Sequence, residues 1–158
     1  MEIQLILGPN NSGKSLYAEA LATQNSGSSL FYIATMVPHT SDNFARIEKH
    51  RIQREGKGFH TIEEPWNVDT LSFPENSVVL LEDASNLLAN GIFQYGKNGD
   101  DCFQKIVALA EHCQKLLIVS ISGFTPSELY DAETNAYILQ LNELNERLKS
   151  IAVKTIEL

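Results

Sequence analysis

The sequence predicts an α/β fold, with a mostly parallel sheet flanked by helices. Three observations carry this. Short apolar runs alternate with helix-like patterns along the chain, as parallel crossovers require. Several of those runs, such as Ile3–Leu7 and Val78–Leu81, are apolar without alternation, the pattern of strands covered on both faces. The first such run ends in a glycine-rich loop that leads straight into a segment of good helix formers.

The elements follow in order. Ile3–Leu7 is a strand, Leu16–Ala22 a helix and Ser29–Thr35 a second strand. Ser41 or Asp42 is a candidate N-cap for a helix running to about Glu55. His60–Glu64 is a third strand, stopped by Pro65, and Asn76–Asp83 a fourth. Ser85–Phe93 reads as a helix with Gly91 as its weak point. Asp100–Gln114 is the clearest amphipathic helix, with Phe103, Ile106, Val107 and Ala110 on one stripe. Leu116–Ile121 is a fifth strand, Glu133–Lys149 a last long helix and Ala152–Ile156 a final strand. The least ordered stretches are expected at Val37–Ser41, Gly56–Phe59 and Tyr95–Gly99.

A chain of 158 residues suits one core, so residues 1–158 are expected to form a single domain. The net charge of −8 argues against nucleic acid as a partner, because an acidic surface repels phosphate backbones. An anionic ligand then needs a local positive site. No apolar run is long enough to span a membrane, and the N-terminus enters its first strand without a basic leader. Cys102 and Cys113, eleven residues apart on one predicted helix, lie about 16 Å apart along its axis and cannot pair there. Reduced thiols fit a cytoplasmic protein.

Gly8-Pro9-Asn10-Asn11-Ser12-Gly13-Lys14-Ser15 matches the phosphate-loop pattern G-x-x-x-x-G-K-[ST] at every fixed position, between a strand and a helix. Chance would produce such a match in a chain this size on the order of one time in a hundred or less. The glycines let backbone N–H groups turn inward around phosphates, and the helix start adds the positive end of its dipole. Lys14 reaches the β- and γ-phosphates, and the Ser15 hydroxyl can ligate Mg²⁺. The fold is therefore expected to be P-loop NTPase-like.

Two further patterns bear on this loop. Glu82 and Asp83 end a buried strand, where such proteins place the acid associated with Mg²⁺; either carboxylate satisfies the pattern. On the helix Asp42–Glu55, Arg46 and His50 are one turn apart and share a face. An arginine that neutralises phosphate charge beside a neutral imidazole suits nucleophilic nucleotidyl transfer. A solvated basic helix face would show the same spacing. Both residues should face the loop, and Lys49, about 100° further round the helix, should not.

Five stretches, in order, resemble one family: Gly8–Ser15; Phe31-Tyr32-Ile33-Ala34-Thr35; Ala45-Arg46-Ile47 with His50-Arg51; Thr61-Ile62-Glu63-Glu64-Pro65; and Leu80-Leu81-Glu82 with Asn90 downstream. Leu144-Asn145-Glu146-Arg147-Leu148 is a weaker echo. Together they resemble the bifunctional adenosylcobinamide kinase/adenosylcobinamide-phosphate guanylyltransferase family of cobalamin biosynthesis. The resemblance implies that a nucleoside triphosphate, ATP or GTP, phosphorylates the aminopropanol hydroxyl of adenosylcobinamide. A helix histidine then takes GMP from GTP as a phosphoramidate and passes it to the substrate phosphate. It implies His50 as the guanylylated residue with Lys14 and Arg46 as catalytic partners, Thr35, Glu63 and Glu82 beside the loop as nucleotide-binding residues, Ser15 and Glu82 as Mg²⁺ ligands, a corrinoid substrate, and a homotrimer.

The sequence departs from the family at Ser120-Ile121-Ser122-Gly123, where an Asn-Glu-Val-Gly-like segment is usual, at Ile138-Leu139 in place of an Arg-Asp pair, and at Trp66 in place of a small or aliphatic residue. Those departures favour a second reading, a divergent nucleotide-binding protein that has lost one or both activities and serves as a regulator or partner. Retention of Lys14, Ser15, Glu82 and His50 favours the enzyme.

Overall fold

The computed structural model describes residues 2–24, 27–38 and 41–158. Its elements are β1 (Glu2–Gly8), α1 (Lys14–Thr23), β2 (Ser29–Ala34), α2 (Ser41–Arg54), β3 (Phe59–Glu63), β4 (Ser77–Glu82), α3 (Ala84–Tyr95), α4 (Gly99–Glu111), β5 (Lys115–Ile121), α5 (Ala132–Ile151) and β6 (Lys154–Glu157). The strands form one six-stranded sheet in the order β3-β2-β4-β5-β1-β6, and every pairing is parallel. β1 is an interior strand between β5 and β6, as its unbroken apolar run predicts. Because all strands run the same way, the loops after β1 to β5 gather at one edge of the sheet. Ligands of open α/β sheets bind at that edge.

Both faces of the sheet are covered. Ile3, Leu5 and Leu7 of β1 pack with Leu87, Leu88, Ile106, Leu109, Leu141 and Leu144 from α3, α4 and α5. Ile6 points the other way and packs with Ala18 and Ala22 of α1 and with Tyr32, Leu80 and Val119. This is the period-2 alternation of a strand that is apolar on both sides. Helix α2 is different: among its residues only Arg54 is buried, so it lies on the outside of the α1 face.

Local chemistry fixes the helix starts. Asp83, Asn98 and Asp131 cap α3, α4 and α5, and Asn98 forms a capping box with Asp101. Asp83 thus lies outside the fourth strand, which ends at Glu82. Ser41 and Asp42 are both inside α2, where Asp42 in the first turn suits the helix dipole; the cap position, residue 40, lies outside the described residues, as does His39 in the stretch expected to be least ordered. Gly91 does not weaken α3, because the Trp66 ring packs against it; a Cβ there would come within 2.5 Å of the ring. Helix α4 ends at Glu111, so Cys113 lies beyond it, and both cysteines are free. Among the described residues, no helix is long and apolar enough to cross a membrane.

Candidate functional site

The loop between β1 and α1 is shaped by its backbone. Asn11 and Gly13 take positive φ values of 59° and 84°, and a Cβ on Gly8 would collide with the Ser12 hydroxyl. Gly13 is the N-cap of α1, so that helix's free N–H groups open onto the loop. The buried Lys14 ammonium curls back over the loop and donates to the carbonyl of Pro9 at 3.1 Å. Ser15, on the first turn of α1, donates its hydroxyl to the Glu82 carboxylate.

The two acids at the end of β4 have separate tasks. Asp83 Oδ1 accepts from the Asn86 backbone amide and from the Ser85 hydroxyl, each at 2.7 Å, so that oxygen serves as the cap of α3. Glu82 is the acid that faces Ser15. Burial, and next the nearby Asp83 charge, push the Glu82 carboxyl up to about 8. Thr35 is fully buried, and its hydroxyl donates to the Glu82 carbonyl at 2.9 Å while accepting from the Asp83 amide and Asn86 Nδ2. It lines the cavity but is engaged in holding the end of β4. Asn90 Nδ2 donates to the carbonyls of Thr35 and Pro65, each at 2.8 Å, which ties the ends of β2 and β3 to α3.

These groups line a cavity of about 760 Å³, within the usual range for a small-molecule site. Asn10, Asn11, Ser12, Gly13, Lys14 and Ser15 form one wall. Arg46, His50 and Arg54 of α2 form another, with Glu63, Thr35 and Glu82 at the strand ends. Gly8 and Pro9 shape the loop without being part of the wall. Arg46 and His50 therefore share the cavity with Lys14 and Ser15. Lys49 also lines it, contrary to the expectation from helix angle. Five cationic residues (Lys14, Arg46, Lys49, Arg51, Arg54) and three acids (Glu63, Glu82, Asp83) line it; even with Arg51 paired to Glu48, positive charge is in local excess in a protein of net charge −8.

Three buried side-chain polar atoms lack a hydrogen-bond partner among the described residues: Ser12 Oγ, His50 Nδ1 and Glu82 Oε2. All three residues line this cavity. Orphaned polar atoms are costly in a folded interior, so three in the lining of one cavity call for water or a polar ligand there. His50 is held below its ordinary 6.5 by burial, and then by Arg54, so its imidazole is neutral at neutral pH. Ser15 Oγ and the free oxygen of Glu82 are oxygen donors of the kind Mg²⁺ takes when phosphates and water fill its other positions.

Arg54 is a site residue the sequence reading missed. The residue is only 9% exposed, and its guanidinium stacks 3.7 Å over the Tyr32 ring with no carboxylate partner among the described residues. The signal was available: Arg46, His50 and Arg54 are successive members of one four-residue spacing, a single stripe of α2.

The sequence matches the family described as cobinamide kinase / cobinamide phosphate guanyltransferase over residues 4–156. The chain belongs to this family. Membership gives it, at the level of the family, a place in cobalamin biosynthesis, with nucleoside triphosphate and cobinamide chemistry. No curated protein gives a significant match. Among solved structures, the flagellar accessory protein FlaH from Methanocaldococcus jannaschii superposes with a TM-score of 0.56 at 17% identity, covering 99% of this chain and 70% of that one. At that identity the likeness speaks for the fold, a P-loop NTPase-like α/β architecture.

Proposed function

We propose that this chain is an active member of its family, phosphorylating adenosylcobinamide and then transferring GMP to the product through a guanylylated His50. The observation that carries the reading is the orphaned, neutral imidazole of His50 in the same cavity as the phosphate loop. In the kinase step the substrate hydroxyl oxygen attacks the γ-phosphorus, the bond to the β-phosphate oxygen breaks, and the hydroxyl proton passes to water. Lys14 and the loop N–H groups hold the departing charge.

In the guanylyl step a ring nitrogen of His50 attacks the α-phosphorus of GTP. The P–N bond forms as the bond to pyrophosphate breaks, and pyrophosphate leaves with the electron pair. Arg46 and Arg54 neutralise the phosphate oxygens. The substrate's phosphate oxygen then attacks the same phosphorus, the P–N bond breaks, and the imidazole is restored with adenosylcobinamide-GDP released. Mg²⁺, held by Ser15 and Glu82, would supply charge neutralisation on the triphosphate. Gly8 to Ser15, with Thr35, Glu63 and Glu82, surround the nucleotide in this reading. We take residues 1–158 as one nucleotide-binding domain, working in the cytoplasm as a homotrimer.

The test is chemical. Incubation with α-labelled GTP should leave an acid-labile, base-stable label on the protein, and His50→Ala should abolish it while GTP binding persists. A wild type that binds GTP but takes no label would leave only a kinase or a divergent nucleotide-binding partner.

A further inference from the structure

Glu19 has no place in the phosphate-loop pattern, yet it is a fully buried carboxylate one turn after Ser15 on α1. Its two oxygens are taken by two groups that reach in from α2 and the turn after it. Gln53 Nε2 donates to one at 2.5 Å, and Lys57 Nζ to the other at 3.0 Å. Gln53 is three residues beyond His50, so it is on the same side of α2. Glu19 therefore links the helix that starts at the phosphate loop to the helix that carries the histidine. We infer that Glu19 is a positioning residue, which sets the place of His50 against the bound triphosphate by holding Gln53 and Lys57. The inference rests on the guanylylated-histidine reading above.

Burying a charge between two helices is a poor way to gain stability. An apolar pair of similar volume commonly does as well or better, because both ions must be stripped of water. What a fully hydrogen-bonded carboxylate provides is a fixed geometry between two elements. The outward position of α2 makes that fixity necessary, since Arg54 is its only buried residue and contributes the second anchor, on Tyr32. Both anchors lie at the C-terminal end of the helix.

Helix geometry shows what the tie controls. From Gln53 to His50 is about 4.5 Å along the axis, and to Arg46 about 10.5 Å. A swing of about 10° about the tie moves His50 by less than about 1 Å and Arg46 by about 2 Å. His50 is thus held close to fixed while the far end of the helix is free to follow the nucleotide. A misplacement of about 1 Å in a reacting group can cost on the order of a hundredfold in rate. The phosphate loop, which supplies most of the triphosphate binding, is untouched by the same slip.

Glu19→Ala and Glu19→Gln in the full chain test this. Expected for Glu19→Ala is a tenfold to hundredfold slower labelling by saturating α-labelled GTP, with affinity for α,β-methylene GTP within about threefold of wild type. Glu19→Gln should recover part of the rate, since its amide oxygen can still accept from Lys57 while the Gln53 amide turns over to accept from the new amide nitrogen. A merely structural role would lower the unfolding temperature and leave the rate unchanged well below it. Wild-type labelling by folded Glu19→Ala, or equal losses of affinity and rate, overturns the proposal. If Glu19→Ala does not fold, the pair Gln53→Ala and Lys57→Ala removes the tie from the other side, and the same outcomes decide. Absence of label on the wild type would instead overturn the histidine chemistry. The hold on α2 is then read by hydrogen exchange over residues 47–57, which Glu19→Ala should speed; unchanged exchange would show that no tie exists.

Discussion

The hydroxyl of Ser15 donates to the carboxylate of Glu82, a residue 67 positions later in the chain, and so joins the phosphate loop to the end of β4. The other oxygen of Glu82 is buried without a partner. A carboxylate in this setting costs stability in the free protein and recovers it against a cation. Glu82→Gln should therefore leave the unfolding temperature of the free protein at pH 8 unchanged or raised. It should also abolish the gain in GTP affinity that Mg²⁺ gives the wild type, a loss of at least about tenfold, or about 1.4 kcal/mol. Calorimetric titration with and without Mg²⁺ checks the second point. Equal Mg²⁺ dependence in wild type and variant would remove Glu82 from the metal site.

Lys14 makes its one protein hydrogen bond among the described residues to the Pro9 carbonyl, on the loop itself, so its ammonium is already bent over the place where phosphates would lie. Lys14→Ala should weaken ATP and GTP binding by at least about tenfold, from the loss of charge-assisted hydrogen bonds worth about 1.5–3 kcal/mol each. The fold should persist, since a lone buried cation is no asset to the free protein. Equilibrium dialysis with both nucleotides measures it. Unchanged affinities would exclude this loop as the triphosphate cradle.

His50 carries the pH dependence. Burial and the two arginines on its stripe hold its pKa below 6.5. A depressed value means the folded state prefers the neutral ring. The contribution to stability is complete above 6.5 and is lost as pH falls below it, because the unfolded chain then binds the proton more readily. In the proposed transfer the nucleophile is the same neutral ring. The acid limb of the labelling rate that belongs to the imidazole should hence lie below the ordinary histidine midpoint, separate from any change near pH 8 where Glu82 titrates. An imidazole limb with a midpoint at or above 6.5 would mean that the attacking group is not in the environment of His50.

The parts of this molecule that the sequence made legible are those governed by local rules. The glycines and Lys14 of the loop, the two-sided strands and the one-turn spacing of Arg46 and His50 each depend on neighbours in the chain. What was not legible depends on partners far away. Gly91 reads as a helix defect until Trp66, 25 residues earlier, is found against it. Asp83 reads as a site acid equal to Glu82, and only the turn into α3 shows that it caps that helix. The Leu144–Leu148 echo gains a reason from Asn145, which bonds Ser120 Oγ at 2.7 Å and the Ile121 carbonyl at 3.0 Å and so fixes the end of β5 beside the loop. Glu19 gives no sign of burial in its own helix, because the groups that satisfy it lie 34 and 38 residues on.

Arg54 gives the last prediction. The residue is buried and lines the cavity, and its guanidinium is stacked on Tyr32, with no described carboxylate to balance it. The charge is unfavourable in the free protein and becomes favourable only against an anion. Arg54→Met keeps a long side chain against the Tyr32 ring and removes the charge. The unfolding temperature of the free variant should match or exceed that of wild type. Triphosphate affinity should fall roughly tenfold, as for loss of one charge-assisted hydrogen bond. Arg54→Lys should restore little, because an ammonium cannot reproduce the planar stack or the two-pronged donor geometry. In the proposed transfer Arg54 also neutralises the reacting phosphate, so the labelling rate of Arg54→Met should fall further than its affinity. Thermal unfolding, calorimetry with GTP and the labelling assay together separate these effects. A variant that is less stable yet binds and labels as wild type would make Arg54 a packing residue and leave Arg46 as the cation beside His50.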